Sequence, residues 1–348
     1  MTLINWLWAI PVFGLLIFIH ELGHFAVAKF YNIRVHEFAL GFGPVLWGFE
    51  RGETRYTLRA IPLGGFVRMS GMDETEQDDP RGFNRKPLLA RALVLFAGPF
   101  MNFVLASVML STLLYVQGGP NPASVLGQVI TDCPVVVDGQ ATTRPCPASE
   151  AGLKAGDKVV AINETPVDEW VDILAVVKDS EGRPLLFKVQ RGGEVAEVTV
   201  TPIYSEGRYM VGILQGTQRG SFVQALVQGP VITYNYSRAW LSAMGDTLTG
   251  KQQVELSGPV GIVREIATQA SERLINLLGM TAILSINLGL FNLIPFPPLD
   301  GARLVLLGVE LVRGRRLDPQ RENMVHFIGM MLLLGLIVVV TYGDIFGR

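Results

Sequence analysis

Four long runs of apolar residues most constrain what this chain can fold into. A helix that crosses a lipid bilayer needs about 20 mostly apolar residues. Each run meets that length, and they extend from about Leu3 to Phe30, Leu88 to Val116, Leu274 to Leu293 and Val325 to Tyr342. Charged residues make up 17% of the chain, whereas water-soluble domains carry about 25%. The sequence therefore predicts a multi-pass α-helical membrane protein with about four spans.

The first run is expected to stay in the mature protein and to act as a span. A cleavable signal peptide starts with a basic region and ends at a site of small residues, and this run shows neither.

The distribution of lysine and arginine predicts the orientation of the spans, because short cytoplasmic loops are enriched in both. Two connections are rich in them, one between spans one and two and one between spans three and four. The first contains Lys29, Arg34, Arg51, Arg55, Arg59, Arg68, Arg81, Arg85, Lys86 and Arg91, and the second Arg303, Arg313, Arg315, Arg316 and Arg321. Both connections are therefore predicted to be cytoplasmic. Both termini and the segment from Gly118 to about Arg273 are predicted to lie outside.

The two cysteines of the chain, Cys133 and Cys146, both lie in this outer segment. They do not form a Cys-x-x-Cys pair, so the sequence does not predict a cysteine metal site. In an oxidising compartment a disulfide between them would close a short loop and add about 3 kcal/mol of stability. Two free thiols are the alternative.

Short β-rich runs alternate with turns from about Asn121 to Ile203. Within them, PASEAGLKAGDKVVAINETPV resembles the core signature of a bacterial PDZ domain, with Gly152 and Gly156 at tight turns. One copy is predicted, at residues 118–205. A PDZ groove binds an extended chain by adding it as a strand. A small β-domain that acts only as a steric plug or spacer is the alternative.

The region that follows comprises residues 206–273, and its part from Ser221 to Ala270 is aromatic-rich and partly amphipathic. It is expected to form a helix that lies in the interface of the outer leaflet. The alternative is a linker that packs on the PDZ domain.

The first span contains His20-Glu21-Leu22-Gly23-His24, an HExxH motif. Residues four apart lie on one face of a helix, so both imidazoles can bind one metal ion. Glu21 lies beside them, where it can take a proton from water. Ionisable residues within a span cost several kcal/mol unless they are paired or face a polar cavity. This spacing therefore predicts a metal site, with a structural polar cluster as the alternative.

A catalytic zinc usually keeps three protein ligands and an open position. The run NLIPFPPLDG, from Asn292 to Gly301, closes the third span, and its prolines end the helix directly before Asp300. Irregular backbone is tolerated at membrane depth where it is buried in protein or lines a cavity. Asp300 is therefore the predicted third ligand, and an ordinary Asp-Gly turn is the alternative.

Together, the HELGH and NLIPFPPLDG motifs and the PDZ-like segment resemble the site-2 protease family, and within it the bacterial RseP-like branch. The resemblance covers nearly the whole chain. It implies an intramembrane zinc metallopeptidase with Zn²⁺ ligands His20, His24 and Asp300 and the general base Glu21. Asn292 and Pro295 match residues implicated in substrate positioning or transition-state stabilisation.

Two further stretches match the same family. The runs RYTLRAIP and GFVRMSG flank Pro62-Leu63-Gly64-Gly65 and are predicted to form a β-hairpin. The hairpin resembles the membrane-dipping β-element of the family, which offers a strand edge to substrate, so Gly64, Gly65 and Phe66 are expected to bind substrate. An ordinary cytoplasmic hairpin is the alternative. In AGPFMNFVLA of span two, Gly98 would permit close helix packing.

The predicted organisation has eight consecutive segments. They are 1–32 (first span with HExxH), 33–87 (membrane-dipping β-hairpin region on the cytoplasmic side), 88–117 (second span), 118–205 (PDZ domain), 206–273 (interfacial region), 274–302 (third span with the Asp300 motif), 303–323 (cytoplasmic loop) and 324–348 (fourth span and C-terminus).

The resemblance implies a place in the bacterial inner membrane and substrates that are single-pass membrane proteins, such as trimmed anti-sigma factors or signal-peptide remnants. The PDZ domain is expected to contact substrate or an upstream protease. A net charge of −2 without a basic tract gives no indication of a nucleic-acid partner. Two other classes are a catalytically silent membrane PDZ scaffold and a metal transporter. Transporters commonly show internal repeats, which this sequence does not. Larger family members carry two PDZ domains, whereas one is predicted here.

Overall fold

The structure is a computed structural model that describes residues 3–72, 76, 78–137, 140–205, 208–251, 258–315 and 319–346. Several predictions extend to positions outside these ranges: the ends of the first and fourth spans, parts of the region 206–273, and Arg316. The chain divides into two compact units, a helical unit (Met1–Leu113 and Val223–Arg348) and a β unit (Leu114–Phe222).

Helices account for most of the described helical unit. In chain order the α-helices of both units are α1 (Leu3–Leu7), α2 (Ala9–Phe30), α3 (Leu88–Gln117), α4 (Pro147–Glu150), α5 (Trp170–Lys178), α6 (Phe222–Leu248), α7 (Pro259–Glu272), α8 (Leu274–Leu293), α9 (Asp300–Arg313) and α10 (Pro319–Phe346). A 3₁₀ turn at Phe83–Arg85 precedes α3.

Four of the described helical stretches are long and apolar enough to cross a membrane. They are Asn5–Phe30, Leu88–Gln117, Leu274–Leu293 and Met324–Phe346. Their positions agree with the predicted spans to within a few residues, as expected for a multi-pass membrane protein. In the most apolar window of each stretch, 44% of the residues are buried inside the protein for the second stretch, compared with 6% for the fourth. The side chains of α10 are therefore mostly left for contact with lipid.

The chain breaks between α8 and α9 because three prolines follow each other closely. The helix α8 ends at Leu293, and Pro295, Pro297 and Pro298 cannot donate the backbone hydrogen bonds that would continue it. Leu299 is extended and precedes the first residue of α9, Asp300. The break thus places an acidic side chain at the start of a new helix.

A two-stranded antiparallel sheet, β1 (Val35–Arg51) and β2 (Thr54–Met69), follows α2. The turn between the strands lies at residues 52–53, where Gly52 has a φ of +64°. The chain also reverses around the predicted run Pro62–Gly65, because residues 55–58 run parallel to residues 37–40 whereas residues 65–68 run antiparallel to them. The two runs that flank it, however, pair on opposite sides of residues 37–40. Gly64 takes a φ of +104° there, a conformation open to glycine that suits this change of direction.

The two strands of this sheet curl on themselves. Residues 55–58 of β2 pair with residues 37–40 of β1 and also with the segment of β1 near Gly48. The last part of β2, residues 65–69, pairs with residues 35–40 on one side. Among the described residues this last part has no strand partner on its other side, so it forms an edge of the sheet.

The β unit consists of short antiparallel strands and two small helices, α4 and α5. Its strands are β3 (Gly119–Pro120), β4 (Leu126–Val129), β5 (Asp132–Val137), β6 (Gln140–Pro145), β7 (Lys158–Ile162), β8 (Thr165–Pro166), β9 (Leu185–Arg191), β10 (Glu194–Val200), β11 (Ile203–Ser205), β12 (Arg208–Met210), β13 (Ile213–Gln215) and β14 (Thr217–Gln218). The largest sheet has the order β10-β9-β7-β8. Its core contains the fully buried side chains of Ile162, Ile173 and Phe187.

The β unit also contains a disulfide and a buried ion pair. The structure joins Cys133 of β5 to Cys146, the residue before α4. Both hydrogen-bonded nitrogens of Arg191 lie 2.7 Å from the oxygens of Asp157, whose side chain is almost fully buried. Burial raises the pKa of Asp157, but the hydrogen bonds from Arg191 and from the backbone of Lys154, with the positive charges of both residues, together outweigh it, and the pKa lies below its usual value. The charged form of Asp157 therefore stabilises this fold.

Candidate metal centre

The two histidines of the HExxH motif lie on the same face of α2, one turn apart. Both are buried, with 8% and 6% of their surface exposed for His20 and His24. Their Nε2 atoms are 3.2 Å apart. Since α2 is one of the candidate spans, two polar rings converge on one point within an apolar helix.

Asp300 brings the third polar group to this point. Its Oδ2 atom lies 3.2 Å from Nε2 of His20 and 3.3 Å from Nε2 of His24. The Oδ2 atom is buried and has no partner in hydrogen-bonding geometry among the described residues. The first residue of α9 therefore completes a group of three ligand atoms that comes from two separate elements.

The arrangement fits a zinc ion. Zinc binds imidazole nitrogen and carboxylate oxygen at about 2.0–2.2 Å with tetrahedral geometry, which puts the ligand atoms about 3.3–3.5 Å from each other. The three measured separations, 3.2, 3.2 and 3.3 Å, are close to that range. His20, His24 and Asp300 could therefore hold one ion with little rearrangement, and the described cluster leaves a fourth position for water or substrate.

A backbone carbonyl fixes the ring of His24. Its Nδ1 atom lies 2.8 Å from the carbonyl oxygen of Val94 on α3. Because a carbonyl oxygen only accepts, Nδ1 donates its proton, and the lone pair of Nε2 is left for a metal. The Nδ1 atom of His20 lies 3.1 Å from the side-chain amide of Asn102, also on α3.

Glycines allow α3 to approach the two rings closely. A methyl group on Gly98 would come within 2.6 Å of Cε1 of His24 and within 2.9 Å of Cε1 of His20. On α2, a methyl group on Gly23 would contact the carbonyl oxygen of Ala97 and would lie 2.9 Å from Cγ of Met101. The close packing expected at Gly98 is present, and its partners are the imidazoles themselves.

A cavity of about 220 Å³ opens beside the three ligand atoms. Residues from α2, β2, α3 and the α8–α9 break surround it. They are His20, Glu21, His24, Gly65, Phe66, Val67, Met69, Met72, Leu95, Asn292, Pro298, Leu299, Asp300 and Arg303. The structure thus brings Glu21, Gly65, Phe66 and Asn292 to the same cavity as the candidate ligands.

Two of the predicted substrate-binding residues do not line this cavity. Gly64 lies against the ring of Phe42, and Pro295 is exposed. Asn292 lines the cavity but donates its amide to the carbonyl of Leu288 in its own helix, at 2.9 Å. Its amide nitrogen is therefore already engaged, whereas Gly65 lies close to the catalytic motif.

The edge of β2 meets α2 at the motif. A methyl group on Gly65 would lie 3.2 Å from Cγ of Glu21 and 2.9 Å from the carbonyl of Ala39. Glycine therefore lets the strand backbone lie directly beside the acidic residue of HExxH.

Sequence reasoning missed two residues of this site. Arg303, one of the basic residues between the third and fourth predicted spans, lines the cavity and lies 3.6 Å from Sδ of Met72. Its spacing after Asp300, nearly one helical turn, could have suggested this. Asn102 is a polar side chain in the middle of a span, and such residues rarely face lipid.

The turn of the sheet is anchored to the end of α2 by charge. Glu53 pairs with Arg81 at 2.7 Å and with Lys29 at 2.8 Å. The hydrogen bonds from Arg81 and then Lys29 lower the pKa of Glu53 to about 2. The sheet that carries Gly65 and Phe66 is thus connected to the helix of the motif at a second point.

An HExxH helix at membrane depth, completed by a carboxylate from another helix, defines a membrane-embedded metallopeptidase. The chain matches the model of Peptidase family M50 over residues 8–336 and belongs to that family, the site-2 type of intramembrane zinc metalloprotease. The expected resemblance, enzyme class and zinc cofactor are therefore confirmed, and the silent scaffold is not favoured.

Two relatives show how far the similarity extends. The chain is 34% identical to the zinc metalloprotease RasP of Geobacillus kaustophilus, over 97% of this chain and 96% of the relative. It is 32% identical to the regulator of sigma-W protease RasP of Bacillus subtilis, over 97% of each.

Proposed function

We propose that this protease cuts membrane-embedded segments of single-pass proteins at a zinc held by His20, His24 and Asp300. The observation that carries the proposal is the convergence of these three ligand atoms, all within 4.8 Å of one another, beside a cavity that Glu21 also lines.

The zinc supplies Lewis-acid polarisation of the scissile carbonyl and a lowered pKa for water. The residues of the chain provide the rest. Glu21 follows a ligand directly in α2 and lines the cavity, so it can take a proton from the attacking water. It then returns that proton to the amide nitrogen that leaves. Burial of His20 and His24 within α2 keeps bulk water away from the ligand atoms.

Substrate binds, in this proposal, at the edge formed by residues 65–69 of β2. A transmembrane helix satisfies its own backbone hydrogen bonds, and its peptide bonds become accessible only when it unwinds. A strand edge offers backbone partners to the unwound segment without demanding a particular sequence. Gly65 lets that segment approach Glu21, and Phe66 lines the same cavity.

The NLIPFPPLDG motif has two proposed roles. Its prolines, Pro295 among them, end α8 and so deliver Asp300 to the ligand group. Asn292 lines the cavity and keeps its amide oxygen available to position substrate while its nitrogen bonds to Leu288. Gly64 is proposed to act by bending β2 rather than by contact with the cavity.

The β unit is proposed to be a PDZ domain that binds an extended chain end or contacts an upstream protease. The PDZ-like signature lies on α4, β7 and β8, and both of its predicted turn glycines, Gly152 and Gly156, have positive φ. We place this unit outside the cytoplasm, as the charge distribution of the sequence indicates. The disulfide between Cys133 and Cys146 is consistent with an oxidising compartment. There the domain would disfavour substrates that still carry large ectodomains.

The proposed substrates are membrane-held remnants of anti-sigma factors and of signal peptides, in a bacterial cytoplasmic membrane. Support comes from the similarity to the Bacillus subtilis relative, which is a regulator of sigma-W protease. The apolar shell of the site and its position in a span favour substrates that reach it within the bilayer.

The test uses purified full-length protein in detergent and a tagged single-pass substrate that lacks its ectodomain. Wild type, Glu21→Gln and Asp300→Ala are compared with and without 1,10-phenanthroline. We expect cleavage by the wild type alone, and its loss with the chelator. Cleavage that persists in both variants would place the chemistry at other residues.

A further inference from the structure

Asn102 is a fully buried polar side chain in the second span, at 0% exposure. Its amide nitrogen lies 3.1 Å from Nδ1 of His20, and its amide oxygen has no hydrogen-bond partner among the described residues. A buried polar atom without a partner costs about 1–3 kcal/mol. The sequence does not keep such a group within a span for packing alone, because an apolar side chain would fill the same space.

We propose that Asn102 is a positioning residue that determines which nitrogen of His20 carries the proton and so prepares this ring for zinc. The proposal rests on the ligand assignment made above. It concerns Nδ1 of His20, the ring nitrogen that faces away from His24 and Asp300. Among the described residues, Asn102 is the hydrogen-bonding neighbour of this nitrogen.

The requirement follows from the chemistry of the ring. A neutral imidazole has one nitrogen with a proton and one with a lone pair. The Nε2 atom of His20 faces Asp300 and His24, so it must offer the lone pair when zinc binds. The proton must then sit on Nδ1 and needs an acceptor, as metal-binding histidines generally have.

The amide of Asn102 can supply that acceptor. Its oxygen and nitrogen ends have nearly the same shape, so their placement follows from hydrogen-bonding demand. A half-turn of the amide brings the unpartnered oxygen to Nδ1 of His20, where it accepts the proton. In the other orientation the nitrogen donates to Nδ1, and the proton of His20 sits on Nε2, which faces Asp300 at 3.2 Å.

The two histidines are therefore held in different ways. The partner of His24 is the carbonyl of Val94, which only accepts and permits one tautomer. The partner of His20 is an amide, which serves either tautomer. The helix α3 holds the backbone at Asn102, whose carbonyl also accepts a hydrogen bond from the hydroxyl of the buried Ser285 at 2.8 Å. The side chain can thus turn while its position in α3 stays the same.

The test measures zinc affinity by competition with a chelator of known affinity, on full-length protein in detergent. Asn102→Leu removes the acceptor, and zinc affinity is expected to fall about 10–100-fold, the range typical for loss of such an outer partner. Asn102→Asp keeps an acceptor and is expected to stay close to wild type. The absorption spectrum of the cobalt-loaded protein should change in Asn102→Leu and be preserved in Asn102→Asp.

Ser285→Ala is the matched control, because it disturbs the same helix contact without changing the amide. It is expected to keep wild-type zinc affinity. Gel filtration and thermal melting check folding, and Asn102→Ala replaces the leucine variant if the latter does not fold.

Wild-type zinc affinity in a folded Asn102→Leu or Asn102→Ala variant would overturn the proposal. Equal losses of zinc affinity in Asn102→Asp and in the apolar variant would also overturn the proposal, since they would indicate that Asn102 acts only through packing. A His20→Ala variant separates this outcome from failure of the ligand assignment. If His20→Ala loses zinc while Asn102→Leu keeps it, only the role of Asn102 is wrong; if His20→Ala also keeps zinc, the ligand assignment is wrong.

Discussion

Gly98 of α3 lies against the imidazole of His24, so closely that a methyl group on its Cα would be 2.6 Å from Cε1 of that ring. The missing side chain is therefore what lets α3 reach the face of α2 that carries the two histidines. Asn102, one turn further along α3, reaches His20 in the same way. One face of α3 thus contacts both rings.

We expect Gly98→Ala to impair the metal centre. The added methyl group must displace His24 or His20, and overpacking of this kind costs about 1–3 kcal/mol. The measurement is the zinc content of the purified variant together with its cleavage rate, and both should fall. Gly14→Ala, in the same span as the motif, is the control, since a methyl group there meets nothing within 4 Å. Wild-type zinc content in Gly98→Ala would contradict the close contact.

We expect Glu21→Gln to keep zinc and to lose activity. The amide has the shape of the carboxylate but cannot accept the proton of water, and general base catalysis contributes about 10²–10⁴-fold to rate. Zinc content by mass spectrometry and cleavage kinetics of the same preparation check both halves. His24→Ala should lose both properties. A Glu21→Gln variant with normal turnover would remove Glu21 from the mechanism.

The ion pair between Arg91 and Glu310 is expected to stabilise the helical unit. Two nitrogens of the buried Arg91 lie 2.6 and 2.9 Å from the carboxylate of Glu310, and the pair links α3 to α9. Removal of one member of a buried pair costs about 3–5 kcal/mol, whereas replacement of both by apolar residues is often tolerated. Thermal melting should therefore show a large loss for Arg91→Met and recovery in Arg91→Met with Glu310→Met.

An exposed pair offers the comparison for that experiment. Arg85 lies 3.0 Å from Asp78, and both side chains are largely exposed. Exposed pairs contribute about 0–1 kcal/mol, so Asp78→Asn should change the melting temperature little. Similar losses in Asp78→Asn and Arg91→Met would contradict the importance of burial.

The stabilisation that Glu53 gives to the folded protein should decrease as the pH falls. Arg81 and Lys29 lower its pKa to about 2 in the folded protein, from an ordinary value of 4.5. A depressed pKa means that the contribution is fully present above the ordinary value and is lost as pH falls through the folded value. Melting temperatures of wild type and Glu53→Gln should therefore differ at neutral pH and converge toward about pH 2. A difference that grows with acidity would contradict this assignment.

The sequence predicted the spans and the two histidines because both depend on local periodicity. An apolar run of sufficient length becomes a helix in lipid wherever it packs, and four-residue spacing puts His20 and His24 on one face of it. Asp300 could also be predicted, since the prolines that precede it end α8 through their own chemistry.

Contacts between distant segments could not be predicted in this way. The PLGG run reverses the chain, as its composition indicates, but the two runs that flank it pair on opposite sides of residues 37–40 of β1. The composition alone does not say which segment of the sheet each of these runs pairs with. Asn102 and Arg303 each face the site only because α3 and α9 pack beside α2, and neither residue belongs to a pattern of its own.

The division of the ligand group between two elements has a consequence during synthesis of the protein. His20 and His24 are made with the first span, whereas Asp300 follows α8 near the other end of the chain. Until the third span has been inserted, the first span carries only part of a metal site. With this ligand group, a chain that has not yet inserted α8 lacks one of its three zinc ligands.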